Sequence, residues 1–142
     1  MRFTVLFLLL FPFSAFCADT DLDSYRDNAR MNYTIYCAGC HQMSGKGTPG
    51  LVPDLGEYMG KFAQHPESRP FLAQVPGSSS APISDAELAQ VLNWILFTMN
   101  AEQLNEDFTP YSASEVAEYR KTPVLEVIKV RDELVEKVLG DY

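Results

Sequence analysis

The run Cys37-Ala38-Gly39-Cys40-His41 limits this chain more than any other feature. The one further cysteine, Cys17, lies in the apolar N-terminal stretch, so the close pair has no distant thiol to bridge to. A small disulfide scaffold uses an even set of separated cysteines, and that architecture is set aside. A thioredoxin-like dithiol needs a strand–helix–strand frame, and strand signals are weak throughout. A structural zinc site needs two more sulfur or nitrogen ligands. No second cysteine or histidine pair exists to supply them.

Cys-x-x-Cys-His is also the attachment pattern of c-type haem. Two intervening residues set the thiol separation that bridges two porphyrin vinyl groups, and the next histidine reaches the iron from the same side. On this reading Cys37 and Cys40 hold one covalent haem c, and His41 is its proximal iron ligand.

The flanking residues form a pattern around that motif. Leu22, Tyr25, Ala29, Tyr33 and Tyr36 recur at three- and four-residue spacing, which predicts a helix running into Cys37. Pro53 lies twelve residues beyond His41, in Gly50-Leu51-Val52-Pro53-Asp54-Leu55. Ser84 followed by Glu87 reads as a capping box, with Asp85 and Glu87 suited to a positive helix start. Leu88, Val91, Leu92, Ile95 and Leu96 then give that helix a core face, with Trp94 beside them.

On these residues, positions 21–97 resemble the class I c-type cytochromes. The resemblance implies an all-α cytochrome c fold wrapping one haem, and a one-electron carrier rather than an enzyme. It implies that the Pro53 carbonyl accepts a hydrogen bond from the second ring nitrogen of His41, fixing the ring. It also implies that Trp94 packs near the first helix and the haem.

The sequence departs from the family at the sixth iron ligand. Most members place a Met-Pro pair just before the closing helix, and here Ala81-Pro82 stands in that place. Alanine cannot bind iron. The candidates that remain are Met59, read as part of a loop folding over the haem, and His65, before Pro66. Met43 and Met99 are remoter choices. An open or weakly ligated iron is the other option.

Residues 1–17 have the layout of a signal peptide: Arg2, an apolar run over 3–13, then small Ser14 and Ala15. The run falls short of the about 20 residues that span a bilayer. Export to the periplasm, with no stable membrane span after cleavage, is the expectation. Bulky Phe16 argues against lipidation of Cys17. Residues 18–101 are expected to form the cytochrome domain and 102–142 a helical C-terminal extension.

Within the extension, 105–111 reads as a linker and 114–121 as a short helix. Thr122 and Pro123 read as the start of a longer helix that reaches Leu139 and stops at Gly140. Its apolar face (Val124, Val127, Ile128, Val130, Leu134, Val135, Val138) is interrupted by Arg131 and Asp132. Such a helix either packs back on the cytochrome or serves as a docking arm. Upstream, 68–75 reads as a short helix with Pro70 in its first turn, stopped before Pro76-Gly77.

Nineteen acidic against eleven basic residues, net −8, disfavour nucleic acid and anionic lipid as partners. The extension carries ten of the acidic and five of the basic residues. Redox proteins, one donor and one acceptor, are the expected partners. Two other functions fit the same residues: an open-site haem protein that binds a small gas or peroxide, and an electron-acceptor subunit of a periplasmic dehydrogenase.

Overall fold

The computed structural model describes the backbone of residues 19–140 and the side chains of 24–140. The expected signal peptide, Cys17 and the side chain of Leu22 lie outside the described residues. Helix α1 spans Asp19–Tyr36, α2 Ala38–His41, α3 Leu55–Gln64, α4 Phe71–Gln74 and α5 Pro76–Ser79. Helix α6 spans Asp85–Met99, a 3-10 turn Ala101–Gln103, α7 Ala113–Tyr119 and α8 Val127–Leu139. An isolated bridge between Thr48 and Val52 is the nearest approach to a strand among the described residues. The all-α expectation holds. No helix among the described residues is long and apolar enough to cross a membrane.

Helices α1 and α6 form the frame. Their expected faces meet: Ala29 and Tyr33 from α1 are buried, as are Leu88, Val91, Leu92, Ile95 and Leu96 from α6. The Tyr33 and Trp94 rings lie 5.0 Å apart across this contact. The capping box is present, with the Glu87 N–H donating to Ser84 Oγ and the Ser84 N–H donating to the Glu87 carboxylate.

The middle section is shorter in helix than the sequence suggests. The helix expected over 68–75 is the single turn α4, beginning after Pro70. Val75 is extended (φ −61°, ψ 146°) because the following proline disfavours the helical region for its neighbour. Pro76 does not simply stop a helix. It occupies the first position of α5, where its missing N–H costs nothing.

The extension packs back on this frame. Residues 105–111 do more than link: Tyr111 is buried, and its hydroxyl donates to the Arg69 carbonyl. Helix α7 opens on a second capping box, Ser112 with Glu115. Arg69 forks onto the Glu115 carboxylate (2.5 and 2.9 Å) and lies 4.0 Å from the centre of the Tyr111 ring. The helix expected from Thr122 begins only at Val127. The Thr122 hydroxyl takes a hydrogen bond from Gln74, and the Val124 N–H donates to the Gln74 carbonyl, so both are held across to α4. Helix α8 then buries Val138 against Phe62 and Phe71 in a second core.

Candidate cofactor site

Helix α1 runs into Cys37, whose N–H donates to the Tyr33 carbonyl at 2.9 Å. The chain makes one more turn, α2, in which the His41 N–H reaches the Cys37 carbonyl (2.9 Å). Residues three and four apart on a helical turn share a face, so Cys37, Cys40 and His41 are brought together. Gln42 ends the turn with φ +61°, an unusual conformation for a residue with a side chain. Two contacts hold it there: the Tyr33 hydroxyl donates to its carbonyl, and its amide donates to the Gly47 carbonyl.

The loop after Gln42 returns to the histidine. The Gly47 N–H donates to the His41 carbonyl at 3.1 Å, and the Pro53 carbonyl lies 3.2 Å from His41 Nδ1. A carbonyl only accepts, so Nδ1 carries the hydrogen and donates. The neutral ring then keeps the Nε2 lone pair for a metal. Burial holds the imidazole below its usual pKa and so favours this neutral form at pH 7, while the Pro53 bond pulls the pKa the other way. Gly47 sits at φ +63°, and a Cβ there would run into the carbonyls of Val52 and Pro53. The glycine therefore allows the close approach that aims Pro53 at the ring.

Cys37, Cys40 and His41 border one cavity of about 360 Å³. Its walls are mainly apolar: Leu55, Met59 and Phe62 from α3, Phe71 and Leu72 from α4, and Leu92 and Ile95 from α6. Val75, Pro76, Gly77 and Ser78 continue the wall, and Val127 and Arg131 of α8 complete it. No disulfide joins the two cysteines. Burial, followed by the neighbouring Cys40, holds the Cys37 thiol above its usual pKa. Two thiols and one imidazole nitrogen on a mostly apolar pocket suit a flat, apolar, metal-bearing ligand.

The remaining candidates separate here. Met59 borders the cavity, but from helix α3 and not from a loop; Asp54 caps that helix by accepting from the Gly56 N–H, so the chain coils where a loop was expected. His65 does not border the cavity. It ends α3, and its Nδ1 accepts the Glu67 N–H at 3.4 Å. Ala81 is buried yet does not border the cavity; Ser78 is the residue of 78–83 that does. Met99 packs its sulfur against Gly45. Trp94 meets the first helix as expected but is not part of the cavity wall.

Sequence reasoning missed Gly47 and the role of Arg131. Gly47 had a signal, a glycine in a short loop that must return to the histidine. Arg131 had none beyond its interruption of an apolar face. It lies over the Tyr58 ring (5.4 Å to its centre) and 3.6 Å from Glu57, at the cavity edge.

This arrangement is that of a c-type cytochrome, and the chain belongs to that family. It is 31% identical to cytochrome c-552 of Thermus thermophilus over 102 residues, covering 59% of this chain and 78% of that protein. Another cytochrome c-552, from a particular strain of the same species, matches at the same identity over 69% of its own length. No family model matches the chain.

Proposed function

We propose that the protein is an exported monohaem cytochrome that carries one electron at a time between two redox proteins. When bound, haem c supplies a single iron that alternates between the ferric and ferrous states. Cys37 and Cys40 hold the macrocycle through thioether bonds. His41 offers Nε2 to the iron, and Pro53 fixes the ring by accepting from Nδ1. The apolar walls exclude water and so disfavour the more highly charged oxidised state. The leader at 1–17 would deliver a periplasmic chain, with 18–101 as the haem domain and 102–142 as its extension.

The observation that carries this reading is the hydrogen bond between His41 and Pro53, 3.2 Å long, beside two cysteines that border the same cavity. Acid–acetone extraction of the denatured protein tests it. The haem should stay with the polypeptide in the parent and wash out of the Cys37→Ser/Cys40→Ser double variant. Haem lost from the parent, with both thiols titrating free, would reject the reading. N-terminal sequencing of the exported protein should find a start near Ala18.

A second reading draws on the cavity wall. Met59 is the single side chain there, besides the motif residues, with a sulfur or imidazole ligand atom, and it is packed into the main core. An iron held by His41 alone would bind a small neutral gas when reduced. Carbon monoxide added to the reduced protein separates this reading from a closed electron carrier. Co-purification with a larger dehydrogenase would instead favour an electron-acceptor subunit.

A further inference from the structure

The segment from Ser79 to Asp85 joins the cavity wall to the start of α6, and it is held by one side chain from the extension. Arg120, at the end of α7, donates to the carbonyls of Ser79 (3.2 Å), Ala81 (2.6 Å) and Ile83 (2.9 Å). It also donates to the Asp85 carboxylate at 2.9 Å. Its own side chain is 16% exposed. Three alternate backbone carbonyls and a carboxylate use four of the contacts that a planar guanidinium can make. Local bonds tie the two ends of this stretch, Ser79 and Ser80 N–H to the Val75 and Pro76 carbonyls and Ser84 to Glu87, while between them the backbone makes only Ala81 N–H to the Ser78 carbonyl (3.4 Å) and Ile83 N–H to the Ala81 carbonyl (2.8 Å).

We propose that Arg120 is a positioning residue for the iron site: by clamping residues 79–85 it holds Ser78 in the cavity wall and Ala81 out of the cavity, and so governs what reaches the iron. The proposal rests on the haem reading above. It gives the extension a role at the iron, exerted across the backbone and without contact with the cofactor. Segment 78–83 carries no methionine or histidine that could bind the metal. Its position therefore acts on access, by keeping the wall closed or letting it swing.

The test uses the full-length haem-loaded protein with Arg120→Ala, Arg120→Lys and, as a control, Glu115→Gln. Glu115 braces the same extension but touches neither the 79–85 segment nor the cavity. Imidazole binding to the ferric protein and carbon monoxide rebinding to the ferrous protein are timed, alongside covalent haem content and the urea midpoint. Freeing several charge-assisted bonds should speed ligand entry about tenfold in Arg120→Ala at unchanged haem content. Arg120→Lys, which keeps the charge but loses the fork, should fall between. Glu115→Gln should lower the urea midpoint and leave entry rates alone. Entry rates equal to the parent in both Arg120 variants would overturn the proposal and leave Arg120 a purely structural residue. If Arg120→Ala does not fold, Arg120→Lys decides alone. A parent without covalent haem would reject the haem reading itself, and the proposal with it.

Discussion

Asn93 and Tyr111 exchange two hydrogen bonds in the core: the Tyr111 N–H donates to Asn93 Oδ1 at 2.7 Å, and Asn93 Nδ2 donates to the Tyr111 carbonyl at 2.9 Å. A side-chain amide in the middle of α6 thus pairs with the backbone as a neighbouring strand would. It fixes the point where the extension turns back, and both residues are buried.

Asn93→Leu should therefore be costly. It leaves a buried N–H and a buried carbonyl without partners, which costs about 2–4 kcal/mol in total. Urea denaturation should show a lower midpoint at an unchanged slope. Equal stability of variant and parent would mean the pair contributes nothing.

Gly47→Ala acts on the histidine from behind. A side chain at φ +63° is strained, and its Cβ would press on the Pro53 carbonyl, 2.6 Å away. The loss of stability should be about 2 kcal/mol. The Pro53–His41 bond should lengthen, which nitrogen NMR of the ring detects as a weaker Nδ1–H donor. An unchanged ring signal would show that the loop absorbs the methyl group elsewhere.

Acid should release the extension through Glu115. The hydrogen bond from Arg69 holds the Glu115 carboxyl below its ordinary value near 4.5. A carboxylate with a lowered folded-state pKa adds stability above its unfolded value, and that stability is lost as pH falls through the folded value. The gap in urea midpoint between the parent and Glu115→Gln should thus be wide at pH 7 and narrow progressively below about pH 4.5. A gap that stays constant down to pH 2 would count against the pair.

Met59→Ala addresses the sixth ligand directly. Met59 is 6% exposed and part of the main core, so its removal should cost about 3 kcal/mol. The spin state of the ferric haem should not change, because the side chain serves packing. A conversion from low-spin to high-spin would assign the sulfur to the iron instead.

What could be read from the sequence depended on how local its cause was. The α6 capping box and core face were legible because spacing along one helix determines them. The thiol pair, His41 and Pro53 were legible because a short motif and a fixed interval carry them. Met59 was misplaced into a loop because the Asp54 cap that starts α3 was not weighed. The late start of α8 was not legible: Gln74, 48 residues before Thr122, takes the hydroxyl that would have capped it. Arg131 and Arg120 were opaque for the same reason, since their partners lie on segments far away in the chain.

Helix α8 begins ninety residues after Cys37, yet its Val127 and Arg131 wall the cavity that Cys37 borders. Until α8 has been made and has docked, one side of that groove stays unbuilt. A rigid flat molecule can then be seated edge-on without prying helices apart. On the haem reading proposed above, the same order would leave both thiols open to attachment until α8 docks, so that helix would close the pocket after loading.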